Sequence, residues 1–249
     1  MNGIALCARY AFGPNRLHMC GPDMSREVLA YISEGEADGG LTHILKQFQT
    51  LFPYLQEIAR VNNIRDPFDP RVVLAYWIGN ELLDNIPVKN LYRHLVDNLE
   101  VKKGVGLKSF GQIEEGLRFG AFMHHSYHVF NIWKRTGHLD IAHTLQSMDQ
   151  CRISSGKVLS VDGAIIKVLR KPLILKNDKL AFGGEEETKI MRRLEDSSII
   201  DEVKLGDVIS MHWGVPCTIL TEDEVKNLEK YTNQSLALAN HFFRRSSGL

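Results

Sequence analysis

The spacing of apolar residues changes at Cys151, and this change limits the folds open to the chain. Before it, apolar residues recur at three- and four-residue steps. After it, they alternate in runs too short for helices. Leu41 to Leu51 carries the helical repeat, and Pro53 is placed to start or kink a turn. Asp69-Pro70 is a helix start, followed by Val72, Val73, Tyr76 and Trp77. Pro87 opens a segment with Leu91, Leu95 and Leu99 on one stripe. Lys102 to Gly106 reads as a basic break, and Ser109 onward as a further helix. The expectation for 1–149 is an all-α domain of five to seven helices.

Beyond Cys151, Val158 to Val161, Ala164 to Leu169 and Leu173 to Leu175 read as strands. Asp162-Gly163 and Lys176-Asn-Asp-Lys179 supply the turns between them. Gly183 to Glu187 is a polar loop. On the strand from Val208, alternation sends Ile209, Met211 and Trp213 to one face and Ser210 and His212 to the other. Thr221-Glu-Asp-Glu224 is a capping box, so a helix begins there and packs through Val225, Leu228, Thr232, Leu236 and Ala239. The predicted fold is α+β: an all-α N-terminal domain, 1–149, followed over 150–249 by a small OB-like β-barrel with a C-terminal helix.

Charge narrows the function classes. Thirty basic and thirty acidic residues balance, so the chain presents no global basic field for nucleic acid or anionic membrane. The N-terminus lacks the basic and apolar regions of a secretory signal, and no window is apolar for long enough to span a bilayer. The expected location is the cytoplasm. Cys7, Cys20, Cys151 and Cys217 lack disulfide-scaffold or zinc-ribbon spacing, so they are expected as thiols or ligands.

Two phrases in the C-terminal part carry a family likeness. Cys151-Arg-Ile-Ser-Ser-Gly156-Lys-Val enters the first strand behind a thiol. Val203-Lys-Leu-Gly206-Asp207-Val-Ile-Ser-Met-His212-Trp-Gly214 joins a Gly-Asp pair, an apolar strand, and a His followed closely by Gly. In this order, closed by an acidic-rich helix, they resemble the hydrogenase assembly chaperones of the HypC/HupF type, over residues 151 to about 236. Two departures stand out: the thiol is internal here, and Ser155 replaces the usual Pro before Gly. The resemblance implies that Cys151 contacts iron, as an iron-cyanide/carbonyl precursor, with His212 close by, as second ligand or as a hydrogen bonder to the site. It also implies a partner: a hydrogenase maturation scaffold or the hydrogenase large subunit. Chemically, a thiolate and an imidazole suit iron better than magnesium or calcium. A small buried Cys and a hydrogen-bonded strand His are the competing description.

A second constellation is His124-His125-Ser-Tyr-His128-Val-Phe-Asn-Ile-Trp133. On a helix, His124 and His128 share a face and could bind a metal or haem as the site of an enzyme, with His125 pointing elsewhere. The motif lacks the Glu of His-Glu-x-x-His, and packing beside Tyr127, Phe130 and Trp133 is the alternative. Near the N-terminus, Phe12-Gly-Pro14-Asn15, His18 and Cys20-Gly-Pro22 read as turns, with Cys7 and Cys20 as structural thiols. Gly104-Val-Gly106-Leu-Lys108-Ser109 fails as a phosphate loop, because Leu107 stands where a glycine must precede Lys.

Overall fold

The computed structural model describes residues 1–132, 144–194 and 197–246, without side chains at 104–109 and 242–246. Trp133 and the terminal 247–249 lie outside the described residues. The helices are α1 (Gly3–Arg16), α2 (Ser25–Glu34), α3 (Gly39–Lys46), α4 (Leu51–Val61), α5 (Pro70–Trp77), α6 (Val88–Arg93), α7 (Val101–Arg118), α8 (His125–Tyr127), α9 (Leu145–Cys151) and α10 (Glu222–Ser246). π-Helical turns extend α6 over His94–Asn98 and α8 over His128–Ile132.

Local chemistry accounts for several of these boundaries. Asp69 caps α5 by accepting from the Arg71 amide, with Pro70 in the first turn, where its missing N–H costs nothing. Pro53 lies in the first turn of α4, separated from α3 by residues 47–50. The expected break at 102–106 is absent, and α7 runs through it. Glycine inside a helix costs only about 1 kcal/mol, which does not by itself end one. At the start of α10 the capping box is reciprocal: the Thr221 amide donates to Glu224 at 2.8 Å, and the Glu224 amide donates to the Thr221 hydroxyl at 3.3 Å.

The strands are β1 (Ser154–Asp162), β2 (Ile165–Arg170), β3 (Leu173–Lys176), β4 (Lys179–Phe182), β5 (Glu186–Met191), β6 (Arg193–Leu194), β7 (Ser197–Ser198), β8 (Val208–His212) and β9 (Val215–Ile219). Five form an antiparallel sheet in the order β5-β2-β1-β8-β9, while β3-β4 and β6-β7 pair separately. The barrel expectation is therefore corrected. The sheets are open, with β5 and β9 as the edges of the largest. Alternation identifies half-buried strands but does not specify closure, which depends on strand tilt and stagger.

One face of the five-stranded sheet buries Val158, Ile166, Val168, Ile190, Ile209 and Met211 together. At β8 and β9 the other face is covered by α1. The Tyr10 hydroxyl lies 3.0 Å from Ser210 Oγ and 2.9 Å from Thr218 Oγ1, so α1 docks through polar as well as apolar contacts. The largest apolar cluster runs from Leu6 through Tyr54, Val73 and Leu95 to Val215, Cys217 and Leu228. It draws on residues from both sides of 150, which itself lies within α9. No helix among the described residues is long and apolar enough to cross a membrane.

Candidate metal centre

The site lies where α1, α5, α8, α9 and the β8–β9 hairpin meet. It is assembled from three short pieces of chain, each with an identifiable local cause.

Cys151 is the last residue of α9. That helix starts at a reciprocal cap between Thr144 and Ser147. Its far end is held by Asp149, which accepts from Arg152 Nε at 3.0 Å, Arg170 Nη2 at 2.8 Å and the Leu173 amide at 2.8 Å. Burial raises the Asp149 pKa, but the bond from Arg170 and the charge of Arg152 outweigh it, so the carboxyl stays below the usual carboxylate value.

His212 ends β8, immediately before a two-residue turn. Trp213 and Gly214 both have positive φ, 50° and 75°, as in the primed turns that match strand twist. The Trp213 amide donates to the Gln150 carbonyl at 2.8 Å. This backbone bond lies one residue from Cys151 and one residue from His212, and it ties the hairpin to α9.

α1 completes the placement. Pro14 lies four residues after Tyr10 and has no N–H, so the Tyr10 carbonyl loses its intrahelical partner. His212 Nδ1 takes that acceptor at 2.7 Å. Gly13 permits the approach, because a Cβ there would lie 2.3 Å from the His212 carbonyl oxygen. The Gly13-Pro14 pair read as a turn from sequence is thus the last turn of α1, and it serves as the seat of the imidazole. A carbonyl can only accept, so Nδ1 carries the proton and Nε2 keeps its lone pair. Nε2 is buried and has no hydrogen-bond partner. Burial pushes the His212 pKa down to about 4, partly offset by the Tyr10 and Cys151 backbone, so the ring is neutral at pH 7.

His125 opens α8. Its Nε2 lies 2.8 Å from the Cys151 carbonyl and its Nδ1 lies 3.2 Å from the Tyr76 hydroxyl. By the same logic Nε2 donates and Nδ1 accepts. Burial, then the neighbouring His212, hold its pKa well below 6.5. Its ring meets that of His212 edge-on, with centroids 5.1 Å apart at 80°, and Trp77 lies against both.

The ligand atoms of His125, Cys151 and His212 all lie within 4.8 Å of one another. Bonds of about 2.0–2.3 Å in a tetrahedral sphere call for a spacing of roughly 3.5 Å, so modest side-chain rotations would close the set. One thiol and two neutral imidazoles are soft to borderline donors, suited to iron, zinc, copper or cobalt and not to magnesium or calcium. Beside them is a cavity of about 50 Å³, also lined by Cys20, Gly21, Phe48, Tyr76 and His128. The space is large enough for a small exogenous ligand beside the three donors.

The structure brings Cys151 and His212 together and adds His125. It does not bring His124 and His128 onto one helical face. His124 precedes the helix with extended backbone (φ −120°, ψ 146°) and accepts from the Ser126 amide through Nδ1 at 3.2 Å, so it serves as the cap. Its ring stacks on Tyr231, and burial pushes its pKa down to about 3. His128 lines the cavity, with Nδ1 3.2 Å from the Tyr54 hydroxyl. Reading the helix as starting before His124 set His125 off the shared face. The signal that would have found it is the cap: with His124 as N-cap, α8 begins at His125, and the i, i+4 pairing of His124 with His128 does not apply.

No curated protein matches the chain, and no solved structure does. A family profile does match, over residues 1–246, and so takes in every residue of the cluster: the chain belongs to DUF6390, a family of unknown function.

Proposed function

We propose that this protein binds a transition-metal ion through Cys151, His212 and His125 and works as a metal-handling factor in the maturation of a metalloenzyme. The observation that carries this reading is the convergence of the three ligand atoms within 4.8 Å in the core. The His212 lone pair adds support. A buried nitrogen without a partner costs about 1–3 kcal/mol, a cost that a bound ion would remove.

Iron is the proposed ion and [NiFe]-hydrogenase the proposed client. Both rest on the likeness of residues 151–236 to the hydrogenase assembly chaperones, as do docking to a maturation scaffold or large subunit and an iron-cyanide/carbonyl cargo. The site suits that role in one further respect: three protein ligands beside a cavity of about 50 Å³ leave room for a small exogenous ligand on the ion.

The test is anaerobic purification from cells producing [NiFe]-hydrogenase, with metal analysis and an infrared spectrum of wild type and Cys151→Ala. Stoichiometric iron with cyanide and carbon monoxide bands, both lost in the variant, is the expected result. Iron without the bands removes the precursor cargo and keeps the metal site. Persistence of the metal in Cys151→Ala, or its absence from every preparation of a folded wild type, overturns the reading.

A further inference from the structure

The cavity beside the three ligands has a second thiol in its wall. Cys20 lines the same 50 Å³ space as His125, Cys151 and His212, although it lies outside the group converging within 4.8 Å. It is carried by the turn between α1 and α2, and that turn is fixed from two sides. Asn15, 1% exposed, donates through Nδ2 to the Cys20 carbonyl at 2.9 Å and to the Pro22 carbonyl at 2.6 Å. Gly21 has φ 83°, and a Cβ there would lie 2.3 Å from the ring of Phe48, a buried residue that also lines the cavity. The backbone of Cys20 is therefore held at the rim by a buried amide on one side and an aromatic ring on the other. Its side chain has a single heavy-atom torsion, and passing between staggered wells moves Sγ by roughly 3 Å.

We propose that Cys20 is the fourth ligand of the ion held by His125, Cys151 and His212, closing a Cys2His2 sphere when no small ligand occupies the cavity. The inference rests on the metal-binding reading above. The independent sign that this cavity faces a ligand is the buried, unpartnered Nε2 of His212. Four donors of this kind make a closed tetrahedral site, whereas three leave one position open. The same turn therefore sets whether the ion is sealed or accessible. His125 takes part by moving its proton from Nε2 to Nδ1. Nε2 is then free for the ion, and Nδ1 donates to the Tyr76 hydroxyl, which turns from donor to acceptor.

Cobalt(II) is the probe, because the intensity of its thiolate charge-transfer band reports the number of coordinating sulfurs. Metal-free full-length protein is titrated anaerobically with cobalt(II) as wild type, Cys20→Ser and Cys151→Ser, with folding checked by circular dichroism. Wild type is expected to show a two-sulfur band. Cys20→Ser should show about half that intensity and about tenfold weaker binding. In wild type, cobalt should also slow alkylation of Cys20 by iodoacetamide at least tenfold, read by mass spectrometry, a measurement that does not depend on the folding of a variant. Equal bands and affinities for wild type and Cys20→Ser, with unprotected Cys20 and a band abolished by Cys151→Ser, overturn the fourth ligand and leave the three-ligand site standing. Failure of folded wild type to bind cobalt removes both.

Discussion

Asp149 and Cys151 are two residues apart on α9, and each sits in a cluster of buried polar groups. Around Asp149 the hydrogen bonding is closed: both carboxylate oxygens accept, from two guanidinium groups and one amide, and Arg152 also donates to the Lys171 carbonyl and lies over the Phe182 ring at 4.9 Å. In the Cys151 cluster it is open at one atom of His212. His212 keeps a buried nitrogen without a partner, next to a second imidazole and a thiol. Burial raises the cost of every unmade bond, so a closed network fixes geometry and an open one awaits a ligand. An open site held by an adjacent closed one can stay preorganised in the absence of its ligand.

Acid separates the two clusters most strongly. Burial lowers the pKa values of His94 and His212 to about 4 and of His124 to about 3, against 6.5 for the unfolded chain. The unfolded state therefore takes up protons first as pH falls. Stability from the neutral rings is complete above about pH 6.5 and is lost as pH drops toward 4. At about 1.4 kcal/mol per pKa unit, the shift is worth ~3 kcal/mol for His94 and for His212 and ~5 kcal/mol for His124. Asp149, whose pKa is lowered, stays ionised through this window. Urea midpoints of metal-free protein should fall steadily from pH 6.5 to 4. A flat profile would mean that the histidines are not buried neutral.

Asp149→Ala breaks the closed cluster. It leaves the buried Arg152 guanidinium without its carboxylate, while Arg170 keeps Glu186 at 3.0 Å, and should cost about 3–5 kcal/mol, read as a fall in melting temperature. Cys151→Ser should do the reverse: metal binding weakened at least 100-fold with metal-free stability changed by about 1 kcal/mol or less, measured by competition with a chelator and by denaturation. Comparable stability losses in the two variants would erase the distinction between the clusters. The finest probe is Pro14→Ala. It supplies an amide that competes for the Tyr10 carbonyl and loosens the His212 ring. Metal affinity should fall roughly tenfold, as for loss of an outer-shell partner, while stability moves by about 1 kcal/mol.

Local features of this architecture were legible in the sequence. The change of period at Cys151 marks the passage from helices to strands. The Asp69-Pro70 start, the Asn177-Asp178 turn with positive φ, and the Thr221–Glu224 box are each decided by neighbouring residues. Openness of the sheet was not legible, because each strand's pattern is the same whether or not its edges meet. Cys151 and His212 were found through the family likeness, but their contact with His125 depends on α8 beginning one residue later than the histidine spacing suggested. Burial of His212 was equally hidden. Alternation put it opposite Ile209 and Met211, but that face is covered by α1, some 200 residues earlier in the chain.

That separation has a consequence for when the three donors become a site. The His212–Tyr10 bond spans 202 positions, and the His125–Cys151 bond joins two further segments. Bringing such distant stretches together is the slow, entropically costly part of folding. The three donors therefore converge only after α8, α9 and the last hairpin have met, and the His212 ring is seated only once the first helix has joined them. A nascent or truncated chain would offer scattered weak donors in place of a site. An ion that binds the native state alone adds about 2.7 kcal/mol at a free concentration one hundred times its dissociation constant. Metal capture would thus act as a late proofreading step, rewarding only chains that have finished folding.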